Sequence, residues 1–304
     1  MATTFPRWLP PVFTATGRVA PFLAARAAAE LLCRPGGRNP PQPWEHEPGP
    51  PPATPLTLAG GLRALAWGGE GPLVLAQHGW RGRPTQFVRL AGALVARGYR
   101  VVALDAPGHG VSPGRRLSTR ILADLLRAAA SELGGVHAVI GHSFGGAAAG
   151  VAVAEGLDAR RLVVIGSPTR VSEMMGRLGT EMGLPAAAQA ALGRLFEAHA
   201  RRPLHELDLV SLGPQVAERS LVVHDEDDDV IPVAQARDLE QAWPAAQRLY
   251  TRGFGHREVL AAPAVVAAVC AFVDAAVEAA PPAGCVDRAD GGACIPRGGP
   301  TGGP

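Results

Sequence analysis

Val136-His137-Ala138-Val139-Ile140 runs directly into Gly141-His142-Ser143-Phe144-Gly145-Gly146, and this join decides the fold. The apolar run predicts a buried strand over Val136–Ile140, and the Ala/Gly/Val stretch behind it predicts a helix over Phe144–Glu155. Between them, Gly141 and Gly145 flank a serine in a G-x-S-x-G pattern. Small residues at those two places let a strand turn sharply into a helix and lift the hydroxyl above the sheet edge. In a glycine-rich chain the letters recur by chance, so the strand–turn–helix context carries their weight.

Working outward, Arg63–Trp67, Leu73–His78, Arg100–Leu104 and Arg161–Ile165 read as further strands. Thr85–Arg97, with Phe87, Leu90, Leu94 and Val95 on one side, and Ser118–Leu133 read as helices between them. Near-continuous Val/Leu/Ile runs without alternation are what a parallel sheet covered on both faces requires. The expectation is an α/β sandwich. From Ser167 to Ser220 the rhythm stops, and Ser172–Met182 and Ala186–Ala200 predict a small helical insertion. It then resumes with Leu221–His224 (strand), Val233–Trp243 (helix), Gln247–Thr251 (strand) and Arg257–Ala279 (helix).

The expected organisation is a core over residues 56–166 and 220–280, with a helical cap or lid over 167–219. Residues 1–33 contain an amphipathic helix, Val12 to Cys33, whose only charges are Arg18, Arg26 and Glu30. Its polar face is weakly basic, so it is expected to pack on the main domain and not on a membrane surface. Residues 34–55 are proline-rich and predict an extended linker. Residues 281–304 are Gly/Pro-rich and polar, and are expected to stay disordered.

Composition bounds the partners. A chain of 304 residues, 47% hydrophobic and 18% charged, can bury a sizeable core. A net charge of +2 with mixed signs makes no case for nucleic acid or an anionic membrane, and 5% aromatic residues leave little for stacking on single strands. All 29 basic residues are arginine, which reads as coding bias. The apolar run Val259–Val273 contains Pro263 and is shorter than the ~20 residues a span needs, so no transmembrane segment is expected. Cys33, Cys270, Cys285 and Cys294 fit no zinc spacing and no dense disulfide framework. They read as free thiols in a reducing cytoplasm, although Cys285 and Cys294 could close a small loop. No His/Asp/Glu cluster has metal-ligand spacing and no glycine-rich loop matches a nucleotide fingerprint, so neither metal nor cofactor is expected. The oligomeric state is not legible.

A serine hydroxyl is a poor nucleophile and needs a base within hydrogen-bond reach, itself oriented by a carboxylate. On this architecture the partners follow in the order serine, acid, histidine, each just after a later strand. Leu221–His224 runs into Asp225-Glu226-Asp227-Asp228-Asp229-Val230-Ile231-Pro232, and Gln247–Thr251 runs toward Gly253-Phe254-Gly255-His256. Neither position was needed to find Ser143, so they support it independently.

From about Leu56 to Ala280 the chain resembles the α/β-hydrolase superfamily. The resemblance rests on His78-Gly79-Trp80, on Asp105-Ala106-Pro107-Gly108-His109-Gly110-Val111-Ser112, on the turn at Ser143, and on the acid and histidine loops. It implies a mostly parallel sheet with helices on both faces and a helical lid, with catalytic Ser143, Asp228 and His256. Asp228 stands four residues before the proline of a D-x-x-V/I-P stretch, with Asp227 and Asp229 as alternatives. It also implies an oxyanion hole of the backbone amides of Phe144 and Trp80. His78-Gly79-Trp80-Arg81-Gly82 in place of an HGGG loop resembles the branch of small-molecule hydrolases, and the bulk of Trp80 would narrow the acyl pocket.

The expected activity is cleavage of a small carboxylic ester, a small-molecule acyl substrate, through an acyl-enzyme. The same triad could act on a thioester, a lactone or a carbon–carbon bond beside a ketone. A non-turnover binding protein on this scaffold is the alternative from another class, and the retained triad argues against it. Trp80, Met174 and Met175 are candidate substrate contacts; Met182 shares their spacing, and ordinary packing is the competing reading for all three methionines. His78 is expected to order its loop, Asp105 and His109 to fix the Pro-Gly turn, and His142 to pack under Ser143.

Overall fold

Strands without alternation must be covered on both sides, and the sheet and its two helical layers follow from that. The computed structural model describes residues 5–47 and 52–278. Its strands are β1 (Thr54–Thr57), β2 (Arg63–Trp67), β3 (Leu73–Gln77), β4 (Arg100–Leu104), β5 (Ala138–His142), β6 (Arg161–Ile165), β7 (Ser220–Asp225) and β8 (Gln247–Thr251). They form one eight-stranded sheet in the order β1-β2-β4-β3-β5-β6-β7-β8. β1 and β2 run antiparallel to their neighbours and every other pairing is parallel.

The helices are α1 (Leu9–Val19), α2 (Pro21–Leu32), α3 (Val88–Val95), α4 (Thr119–Glu132), α5 (Phe144–Ala154), α6 (Val171–Glu181), α7 (Ala186–Ala200), α8 (Pro214–Ala217), α9 (Val233–Ala242), α10 (Gly255–Glu258) and α11 (Pro263–Glu278). Successive strand residues feed opposite layers. Val74, Ala76, Val101 and Ala103 pack with Leu90 and Leu94 of α3 and Val265 and Val269 of α11. Leu75, Val102 and Leu104 pack the other way, with Leu122 and Leu126 of α4, Val151 of α5 and Leu239 of α9. This is the α/β-hydrolase fold: a mostly parallel sheet flanked by helices. Between β6 and β7 lie α6, α7 and α8, with no strand.

The structure differs from the sequence reading where prolines act. The expected single N-terminal helix is two, because Pro21 lacks an N–H and α1 stops at Val19. The helix expected over Arg257–Ala279 is α10, a 3₁₀ turn at Val259–Ala261, and α11, which restarts at Pro263. The strand β1 falls partly in the expected linker. Pro55 is tolerated there because β1 pairs on one side only, with β2. The described part of residues 34–55 is also packed: Trp44 and Glu45 are buried in a 3₁₀ turn, and Arg38 donates to Asp105 Oδ1 at 2.7 Å. β5 begins two residues later than expected, after a turn with positive φ at Gly134 and Gly135, and runs on to His142. The tail over 281–304, with Cys285 and Cys294, lies outside the described residues.

Helices α1 and α2 pack on the insertion, where Leu9, Phe13, Ala24, Ala25 and Ala28 meet Met182, Leu184, Ala188, Ala191, Leu192 and Phe196. Among the described residues, no single helix is long and apolar enough to cross a membrane.

Candidate active site

The turn at Ser143 forms because nothing larger than glycine fits beside it. A Cβ at Gly141 would lie 2.4 Å from Gly146 Cα, and one at Gly145 would lie 2.4 Å from the Gln77 carbonyl oxygen. Ser143 itself sits at φ 53°, a conformation that non-glycine residues hold only when their surroundings impose it. Here the constraint comes from both ends: the Ser143 amide donates to the Ile165 carbonyl at 2.8 Å, and α5 begins at the next residue.

The other two groups arrive from the ends of β7 and β8. The His256 Nε2 lies 3.0 Å from Ser143 Oγ, and its Nδ1 lies 2.7 Å from Asp228 Oδ2. A carboxylate accepts only, so the imidazole proton sits on Nδ1, and Nε2 is left to accept the serine proton. Asp228 Oδ1 in turn accepts the amides of Val230 and Ile231, each at 2.8 Å. Burial works to raise the Asp228 pKa. The hydrogen bond and charge of His256, with the two amides, outweigh it and hold the carboxyl below its ordinary value. Three side chains far apart in sequence thus form one hydrogen-bonded chain, and Asp227 and Asp229 take no part in it.

The loop after β3 passes directly over Ser143, where a Cβ at Gly79 would lie 2.6 Å from Ser143 Cβ and 3.1 Å from Oγ. The amides of Trp80 and Phe144, next in sequence to Gly79 and Ser143, donate to no acceptor among the described residues. The Trp80 ring stands edge-on to Phe144 at 5.8 Å and to His109 at 5.8 Å. His78 braces the loop. The Ala106 amide donates to its Nε2 at 3.1 Å, which leaves Nδ1–H to donate to the Gly79 carbonyl at 2.8 Å.

Asp105 fixes its turn by accepting from Val111 N and Arg38. His142 lies buried beneath the serine and donates from Nε2 to the His256 carbonyl at 2.8 Å, and burial pushes its pKa down to about 3. Burial likewise takes His109 down to about 4.

Above the serine is a cavity of about 390 Å³ with a mainly apolar lining. Trp80 and Phe144 line its floor, Met174, Met175 and Leu178 of α6 one wall, and Phe196 of α7 and Leu32 of α2 another. Met182 takes the packing reading: it is fully buried in the cluster with Leu9 and Phe13 of α1, and Gly183 at φ 76° turns the chain back immediately after it. Cys33 also lines the cavity, and burial pushes its thiol up to about 11. Among the described residues, no group of three or more His, Cys, Asp or Glu side chains could hold a metal ion.

One residue escaped the sequence reading. Asp225 is fully buried and accepts from the Asp227, Phe254 and Gly255 amides and the Thr251 hydroxyl at 2.7–3.2 Å. It fastens the loop that carries the acid to the loop that carries the histidine. The signal lay in the run of acidic residues starting where a buried strand ends.

A parallel sheet with this arrangement at its carboxyl edge belongs to a hydrolase. The chain is a member of the alpha/beta hydrolase family, whose sequence model matches residues 73–295. It is 36% identical over 99 residues to a human serine hydrolase-like protein, a match covering 30% of this chain and 48% of the relative. It is 34% identical over 105 residues to esterase Rv0045c of Mycobacterium tuberculosis, covering 32% of this chain and 33% of that one. The chain therefore spans half or less of the length of these relatives. An esterase from Exiguobacterium antarcticum shares the fold with a TM-score of 0.55 at 17% identity, over 73% of this chain and 99% of that one.

Proposed function

We propose that this protein is a serine hydrolase of carboxylic esters that works by acyl transfer through Ser143. The observation that carries this reading is the continuous chain Ser143 Oγ–His256–Asp228, with links of 3.0 and 2.7 Å. His256 takes the Ser143 proton as Oγ attacks the ester carbonyl, and Asp228 holds the imidazole tautomer and stabilises the imidazolium. The amides of Phe144 and Trp80 receive the oxyanion as charge develops on it. His256 then gives its proton to the leaving alkoxide. Water, deprotonated by His256, attacks the acyl-enzyme and releases the acid and free Ser143. No step calls for a metal or cofactor.

Trp80, Met174 and Met175 would contact the acyl chain, and the insertion over residues 167–219 would act as the lid of the site. The esterase relative supports an ester over other acyl substrates. A cytoplasmic setting completes the reading, with Cys33 and Cys270 free. A fluorophosphonate probe should label the protein stoichiometrically, with the adduct on Ser143, and S143A should lose the label. Equal labelling of S143A would overturn the assignment.

A further inference from the structure

The outward face of α2 is built backwards for a water-facing surface, and α1, which buries Leu9 and Phe13, adds exposed apolar residues beside it. A helix packed on a protein ordinarily buries its large apolar residues and exposes polar ones. Here α2 buries Ala24, Ala25 and Ala28 and leaves Phe22 and Leu23 at 55% and 63% exposure. Beside it, Trp8, Val12 and Val19 are 65%, 51% and 88% exposed. They stand at i, i+4 and i+11, which is one stripe along a helix. Contiguous apolar surface of this kind marks an interaction site.

Charge identifies the occupant. Residues 5–32, to the end of α2, contain Arg7, Arg18 and Arg26 and one acidic residue, Glu30, which is paired with Arg34 and Arg116. All three arginines are exposed and pair with no carboxylate among the described residues. Arg18 stands next to Val19 on α1, and Arg7 immediately precedes Trp8. A second copy meeting this face about a two-fold axis would bring arginines together with no counter-charge. An anionic lipid surface supplies both a medium for the apolar stripe and partners for the guanidinium groups, whose long stems let them reach up to headgroups. The whole-chain charge of +2 hides this local excess, and the weakly basic face expected from the sequence also carries an apolar stripe. Phe5, three residues before Trp8, and the exposed Leu31 of α2 also help to line the cavity.

We propose that the exposed face of α1–α2 docks the protein on a lipid–water interface bearing anionic headgroups, with the mouth of the cavity at that interface. The full-length chain is tested by sedimentation with vesicles of phosphatidylcholine alone and with phosphatidylglycerol added. Binding is expected to the anionic vesicles and to weaken with salt. It should fall at least about tenfold in the double variant F22S/L23S, and likewise with R18E/R26E. Of the five tryptophans Trp8 alone is exposed, so its emission should shift to the blue on binding, and the shift should vanish in W8F. S143A should bind as the unaltered chain does, which separates failure of docking from failure of the hydrolase reading. Two results would overturn the proposal: no partition of the unaltered chain into either vesicle, or a lipid-free dimer by light scattering that F22S/L23S dissociates. If a variant fails to fold, the binding of the unaltered chain still decides.

Discussion

The carboxyl edge of the sheet and the helical cover above it are held together by opposite means. At the edge, directional contacts set every position: Ser143, His256 and Asp228 stand at 3.0 and 2.7 Å, and Asp225 locks two loops with four accepted hydrogen bonds. The glycines there leave no room for a methyl group. In the cover, α1, α2 and α7 meet through alanines, leucines and phenylalanines, and a hydrogen bond from Thr14 Oγ1 to the Gly183 carbonyl at 2.7 Å is one of its few polar ties. Hydrogen bonds fix distance and angle, whereas apolar packing fixes little more than volume. The first region should therefore lose function abruptly on small chemical changes, and the second should give way gradually.

The sharpest break of this contrast is D228N. The amide keeps the shape but presents a donor to His256 Nδ1, which turns the imidazole to the wrong tautomer. Ester turnover should fall on the order of 10⁴-fold with the fold intact. Steady-state kinetics beside a melting curve checks this, and a loss of only a few-fold would show that another carboxylate serves. Acid offers a second, smaller break. Burial depresses His109 to about 4 and His142 to about 3, against about 6.5 for an unburied histidine. Below that value the unfolded chain binds protons that the folded chain refuses, so stability must fall as the pH drops. By pH 5 the loss is about 2 kcal/mol for each histidine. Asp105, Asp225 and Asp228 are shifted down, so their contributions are lost only at lower pH and do not blur this window. Calorimetry at pH 7 and pH 5 should show a clear drop in Tm, and an unchanged Tm would remove the edge's sensitivity to acid.

The same contrast explains what could be read in advance. Ser143 and His256 were legible because a tight turn demands glycines and because loops after successive strands converge on one edge. Asp228 was legible among its acidic neighbours through its distance from Pro232. Asp225 was not, because its donors come from two loops that meet only when β7 and β8 pair. The strand β1 was hidden by Pro55, whose cost vanishes at a sheet edge. Cover packing left no such local mark: the alanines of α2 look like the indifferent side of an amphipathic helix, and only contact with α7 makes them the buried one. Met182 shared the spacing of Met174 and Met175, but the turn at Gly183 directs it into the packing between helices.

The gentlest perturbation, A28L, asks whether the two regions are independent. Ala28 is fully buried between α2 and α7, so an added isopropyl group must push the helices apart at a cost of about 1–3 kcal/mol. If the cover is a separate cooperative unit, that cost is confined to it. Amides of α1 and α2 should then exchange with solvent faster, while those of β3 through β8 keep their protection. Esters with long acyl chains should show a raised KM, because Leu32 and Phe196 no longer close their wall of the cavity. Turnover of an acetyl ester, which needs only the edge, should be retained. Faster exchange throughout the sheet, or an equal loss on both esters, would mean that the alanine contacts help to hold the triad and that cover and edge form one unit.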